Sequence, residues 1–181
     1  MNHPTRHTQR GGALMEALIA MLIIAFGALG FVGLQARTAV LNLEGYQRAQ
    51  ALQLLKDMEQ RMLINRAQAA SYVAAEIPAK DNEDCTVKPT VAERDRCEWA
   101  ALIAGAAEKS GTTSVGAVTY AFGCITSLAP LQPNTYQISL VWQGVQKSAE
   151  SNVDCAKDKF PAGSEALRRG VSTVVRFGTL L

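Results

Sequence analysis

Histidine is nearly missing from this chain of 181 residues: only His3 and His7 carry an imidazole, both at the extreme N-terminus. The side chain most often used as general base or metal ligand is therefore confined to a short basic stretch. No Ser-x-x-Lys, no G-x-S-x-G and no phosphate-binding glycine loop occurs anywhere. An enzyme is not expected, nor is a cofactor. The four cysteines include no C-x-x-C pair, which argues against a zinc ribbon or a thioredoxin-type centre. Charge of one sign is not in excess either: 18 Lys and Arg stand against 16 Asp and Glu, and Arg6 and Arg10 account for the net +2. Without those two arginines the chain is neutral, which gives no ground for nucleic-acid binding. Two further absences shape the molecule. Proline does not occur between Pro4 and Pro78, and no charge occurs from residue 17 to residue 36.

The uncharged run consists almost entirely of Ala, Leu, Ile, Met, Phe, Val and Gly. About 20 apolar residues rising about 1.5 Å each cross a bilayer core of roughly 30 Å. A secretory signal would have a shorter apolar region and an A-x-A-like cleavage site, and neither is found here. Arg6, Arg10 and the first amine precede the run; Arg37 and a long domain of mixed charge follow it. Long domains are translocated largely regardless of charge, so the basic leader is expected in the cytoplasm and the remainder outside.

The junction reads Arg10-Gly11-Gly12-Ala13-Leu14-Met15-Glu16-Ala17-Leu18. A carboxylate inside the start of a membrane helix costs roughly 2.5–3.5 kcal/mol on insertion scales, less where it can snorkel, so Glu16 needs a partner. A cut between Gly11 and Gly12 would create an ammonium four residues before Glu16, on the same helix face. With these residues the chain resembles the type IV pilin family. In that family a prepilin peptidase cuts after a glycine, the new N-terminus is methylated, and a glutamate stands at the fifth mature position. The resemblance implies cleavage between Gly11 and Gly12, N-methylation of Gly12 and an assembly role for Glu16. The family usually starts its mature chain with Phe or another large apolar residue, where this chain has Gly12.

With no proline to stop it, a helix is expected from about residue 13 to about residue 72, roughly 90 Å of rise. Its first half would be bare of charge all round, interrupted by Gly27, Gly30 and Gly33. Its second half is amphipathic, with Ala51, Leu54, Leu55, Met58, Met62, Ala69 and Val73 recurring at three- and four-residue steps. Beyond it, residues 78–89 read as a polar, acidic loop. Thr90-Val91-Ala92-Glu93 has capping-box spacing and should open a helix ending near residues 110–111. Strands are expected over 115–125, 136–142 (Tyr136, Ile138, Leu140 and Trp142 on one face) and 171–177, separated by loops over 127–134 and 143–170. The expected fold is α+β: a long N-terminal helix against a small antiparallel sheet. Its parts would be a leader over 1–11, a membrane half over 12–36, an amphipathic half over 37–77 and a head over 78–181.

All four cysteines follow the apolar run, in what should be an oxidising compartment. Three pairings are possible; Cys85–Cys97 and Cys124–Cys155 are favoured, the first closing a loop onto the Trp99 helix, the second tying a strand to the long loop. Within the pilin family, the stretch from Asp57 to Ala67, the Cys97-Glu98-Trp99 segment and the Tyr-x-Ile-x-Leu-x-Trp strand are most similar to PilV-type minor pilins. That resemblance implies a subunit helping to initiate or modify pilus assembly. Its partners would be other minor pilins, the major pilin, the prepilin peptidase, the inner-membrane assembly platform and a tip adhesin. It would sit first in the inner membrane, single-pass with the head in the periplasm, and then in the pilus at the cell surface. A type II secretion pseudopilin shares the leader, helix and head; a single-pass anchored sensor or binding module would keep its leader. Arg61, Asn65 and Arg66, read from their polarity alone, form a solvated helix end.

Overall fold

The computed structural model describes residues 10–111, 113–114 and 118–178. The elements in chain order are α1 (Arg10–Ile64), β1 (Ala74–Pro78), α2 (Val91–Ile103), β2 (Lys109–Ser110), β3 (Thr113–Ser114), β4 (Phe122–Ser127), β5 (Thr135–Gln143) and β6 (Arg168–Arg176). The chain divides into two compact units, Met1–Asn42 and Leu43–Leu181. In the first, helix is the only secondary structure described, and from Gly12 to Ala39 every residue is exposed. Nothing lies within 4 Å of a side chain added at Gly27, Gly30 or Gly33, so these glycines are not needed for packing inside this unit.

In the second unit the last turns of α1 lie against a four-stranded sheet of order β1-β4-β5-β6, each neighbouring pair antiparallel. The fold is α+β, as the sequence pattern indicates. The apolar stripe of α1 is buried: Ala51, Leu55, Met58 and Met62 meet Trp99 and Ile103 of α2 and Ile125, Ile138 and Leu140 of the sheet. Trp99 lies so close over β4 that a Cβ on Gly123 would fall 2.0 Å from Trp99 Cζ3. The indole N–H donates to Leu54 O at 2.8 Å, which satisfies its one polar atom in the core.

Four expectations need correction. The α-helix stops at Ile64, short of residue 72; Asn65 takes φ −105°, ψ 37°, and a 3₁₀ turn follows over Arg66–Tyr72. Three residues per turn instead of 3.6 advances the stripe by roughly 20° more per residue. Tyr72 therefore enters the core, fully buried, and Val73 is left 43% exposed. Immediately after comes β1, a strand that the sequence reading assigned to the helix and the loop after it. Next, α2 ends at Ile103, well before residues 110–111. Gly105 takes φ 89°, its N–H donating to Leu102 O and that of Ala106 to Ala101 O. This left-handed Schellman closure suits glycine, and a short β2–β3 hairpin occupies the place of the expected last turns. Finally, the strand expected over 115–125 begins only at Phe122. Residues 115–117 lie outside the described residues, and Val118 to Ala121 form a turn.

Strand β5 carries Tyr136, Ile138, Leu140 and Trp142 into the core, as its alternation predicts. Its other face is covered too. A strap over residues 144–167 brings Cys155, Ala156 and Phe160 onto Val141 and Cys124, so the centre of β5 is buried on both sides.

Candidate functional site

Gly12 and Glu16 both lie in α1, one turn apart, and so share a helix face. Both are exposed. Around and beyond them the helix presents large apolar side chains to solvent: Leu14 and Ile24 are each 70% exposed, Phe26 67%, Leu29 69%. An aqueous surface of that kind is expensive at about 25 cal/mol per Å², so this segment belongs in lipid or against other apolar surface. Among the described residues one helix, Gly12–Ile64, is long and apolar enough to cross a membrane. Gly11 is helical in its backbone; its surroundings, and those of the residues before it, lie outside the described ones.

At the beginning of the second unit Glu44 anchors α1 to the sheet. Its carboxylate accepts the N–H groups of Val145 and Gln146, each at 3.0 Å, and the Arg169 guanidinium at 3.0 and 3.2 Å. Arg169 also donates to Ala166 O and Gln146 O, so one side chain ties the end of β5 and the start of β6 to the helix. Burial opposes the charge on Glu44, but the Gln146 N–H and Arg169 more than offset it and hold the carboxyl below its ordinary range.

Arg61 lies one turn before the end of α1. It donates to Asp57 at 2.7 Å, to Asp95 at 3.2 Å and to Glu98 at 2.5 Å, the last two from α2. Tyr72 O–H also donates to Asp95, and Asn65 donates to the Tyr72 hydroxyl at 3.2 Å. The expected solvated helix end is thus a polar junction between α1, the 3₁₀ turn and α2; of the three residues named there, only Arg66 stays exposed. Burial works against the Arg61 charge, yet Glu98 and Asp57 keep it firmly protonated. Burial, followed by the bond to Asp95, pushes the Tyr72 phenol up to about 12.

The cysteines form Cys85–Cys97 and Cys124–Cys155, the two favoured pairs. The second fastens the strap to β4, and a buried arginine assists it. Arg168, 2% exposed, donates to Ser151 O at 3.0 Å, Cys155 O at 2.7 Å and also to Val153 O. Its guanidinium lies 5.7 Å from the Phe160 ring centre. Among the described residues no group of three or more His, Cys, Asp or Glu is placed to hold a metal ion.

No protein-family model, curated protein or solved structure matches this chain. Its functional reading rests on its own residues. Gly12 and Glu16 stand together on the bare helix, the cysteines join the head, and the two groups belong to different units. The residues that sequence reasoning missed are Glu44, Arg168, Arg169, Tyr72 and Asp95. Glu44 left one trace: it is an acid in the first turns after the uncharged run, at a helix position a lone amphipathic pattern does not require. Nothing marked Arg168 or Arg169, because their partners are backbone carbonyls or lie far away in sequence.

Proposed function

We propose that this protein is a pilin-like subunit, a minor pilin of a type IV pilus. In this reading its leader is removed between Gly11 and Gly12, and its bare helix passes from the inner membrane into a filament. The observation that carries it is Glu16: a carboxylate one turn from Gly12 on a helix otherwise uncharged as far as Arg37, directly after a glycine and a basic leader. An anchor that merely retained the head in a membrane would gain nothing from that charge. The α+β head with two disulfides supports an exported domain held on an assembly helix. The head would face the periplasm and later the cell surface, meeting other minor pilins, the major pilin and a tip adhesin. The prepilin peptidase and the inner-membrane platform would act on the helix.

The test is the mass of the native N-terminus, taken from isolated membranes and from filaments sheared off cells. A chain beginning at Gly12, N-methylated, is expected in both. A native protein beginning at Met1 or Asn2 in both samples refutes the reading and leaves an anchored module. Replacing Gly11 with a bulky residue should leave the full precursor in the membrane.

A further inference from the structure

Where the 3₁₀ turn after α1 meets the sheet, a cavity of about 260 Å³ remains. Ala67, Ala69 and Ala70 of the turn form one wall and leave room by their small size. Opposite them lie Tyr136 near the start of β5 and Phe177 just beyond β6, their ring centres 5.8 Å apart. Asn134 belongs to the same wall. Its backbone is left-handed, with φ 53°, and its carbonyl accepts the Phe177 N–H at 2.9 Å.

Three polar side chains line this cavity without being used by the head. Arg66 is exposed and makes no hydrogen bond or ion pair with a described residue. The same holds for the Asn134 amide and the Tyr136 hydroxyl. Tyr136 carries the most weight, because it is only 7% exposed and buried hydroxyls are normally bonded. The other tyrosine beside the turn, Tyr72, has Asp95 and Asn65 as partners. Among the described residues the polar atoms sealed from solvent without a partner are Gln47 Oε1 and Arg168 Nε, and the Tyr136 oxygen is not one of them. What little surface Tyr136 keeps therefore includes its hydroxyl, open to the cavity that the ring lines.

We propose that this cavity captures the C-terminal residue of another polypeptide, one that ends in an apolar residue of the size of Val, Leu or Ile. Arg66 is the single charge among the lining residues, with no carboxylate beside it. A planar fork of donors matches one carboxylate through two parallel bonds, whereas a phosphate dianion would keep charge uncompensated. The Tyr136 hydroxyl donates to a carboxylate oxygen. The Asn134 amide is donor and acceptor together, which suits the C=O and N–H of the peptide group before the last residue. Phe177 and the alanines receive the apolar side chain. A lone aspartate or glutamate on a partner's surface would satisfy Arg66 and leave that wall uncovered. The volume falls below the roughly 300–1,000 Å³ of pockets for drug-sized ligands and suits about one residue. Backbone and side-chain groups that seize a chain terminus are a recurring mode of peptide recognition. The proposal goes beyond the pilin reading and does not depend on leader removal.

The test is a titration of the isotope-labelled full chain, in mild detergent, with N-acetyl-leucine, followed through its amide signals by NMR. Affinity for so small a fragment is expected on the order of 1 mM. Signals over 66–70, 134–137 and 177–178 should move together, and N-acetyl-leucinamide, which lacks the carboxylate, should leave them in place. Arg66→Met keeps the apolar stem and should weaken binding about tenfold or more; Arg66→Lys keeps the charge without the fork and should fall between. Arg66 is exposed, so both variants should keep the wild-type spectrum away from the cavity. Tyr136→Phe leaves the ring in the core and should weaken binding about threefold. The proposal is overturned by no shift up to about 20 mM, by equal binding of the amide, or by Arg66→Met binding as the wild type does. Equal binding of 4-methylpentanoate, which has the side chain and carboxylate without a peptide group, also overturns it and leaves a site for free acids. A version lacking residues 179–181 should bind as the full chain does. Binding confined to that version would show the chain filling its own cavity and would overturn the proposal too.

Discussion

Glu44 shows how one side chain in the right place decides a larger arrangement. It is an ordinary helix residue by composition, yet two backbone N–H groups and an arginine converge on it. Glu44→Gln keeps the shape and loses the charge, and hydrogen bonds to charged groups contribute about 1.5–3 kcal/mol. A loss of roughly 2 kcal/mol at neutral pH is expected, read by urea unfolding in detergent. The sign with pH follows from the depressed carboxyl. Its folded value lies below the ordinary 4.5, so its contribution is complete above 4.5 and disappears as pH falls through the folded value. The wild-type protein should lose stability relative to Glu44→Gln on acidification below that point, and the two curves should run parallel above it. Equal slopes below pH 4.5 would show that Glu44 is unpaired in solution. Glu83, outside any core, gives a spectroscopic companion: Lys88, followed by Lys80, draws its carboxyl down to about 2.

At the scale of elements, α2 and β4 depend on one missing side chain. Trp99 can lie flat on the sheet only because Gly123 has no Cβ. Gly123→Ala forces the indole away, breaks its bond to Leu54 O and should cost about 3 kcal/mol, as overpacked cores commonly do. Trp99 fluorescence should shift to the red, and a stability within 1 kcal/mol of wild type would mean the ring moves aside freely. Elements differed widely in how far the sequence revealed them. The capping box at Thr90 and Glu93 is local chemistry, and it forms: the Thr90 hydroxyl accepts the Glu93 N–H while the Glu93 carboxylate accepts the Thr90 N–H. The alternation of β5 was equally legible because it is sustained from Tyr136 to Trp142 with large apolar residues at every second position. Strand β1 was not: it has five residues, two of them alanine and the last a proline, and its extended form comes from pairing with β4 across a bulge. Gly105, a single glycine after an apolar stretch, ends α2, whereas the Ser110-Gly111 pair is the more conspicuous break in the sequence. The end of α1 depended on a change of helical pitch, to which a 3.6-residue pattern is blind.

For the whole molecule, the exposed stretch of α1 from Gly12 to Ala39 and the head with its own core are separate pieces. The residues Gly11, Gly12 and Glu16, proposed for processing and assembly, stand out in the sequence because a charge among apolar residues and a glycine after arginines are visible in one dimension. The Glu44–Arg169 and Arg61–Asp95–Tyr72 junctions were not, since their members come from distant segments. On the proposed reading, Glu16→Val should insert into the membrane at least as well as the natural chain and should still be cut at Gly11, since the cut would depend mainly on the glycine. It should be present in membranes as mature protein and reduced about tenfold or more in sheared filaments, judged by immunoblot of both fractions. Recovery at the natural level would make Glu16 a tolerated helix-end residue and nothing more.

Arg168 and Arg169 are neighbours on β6, and neighbours on a strand point to opposite faces. One holds the strap on the outer face; the other holds Glu44 on the inner. A chain is made from its N-terminus, so Glu44 waits through all the intervening residues before Arg169 exists. Everything before β6 can be present, cysteines included, with Glu44 holding only the Val145 and Gln146 N–H groups and the strap unheld by its arginine. Both contacts then come with the same two residues. A chain that stops before β6 would lack both contacts at once.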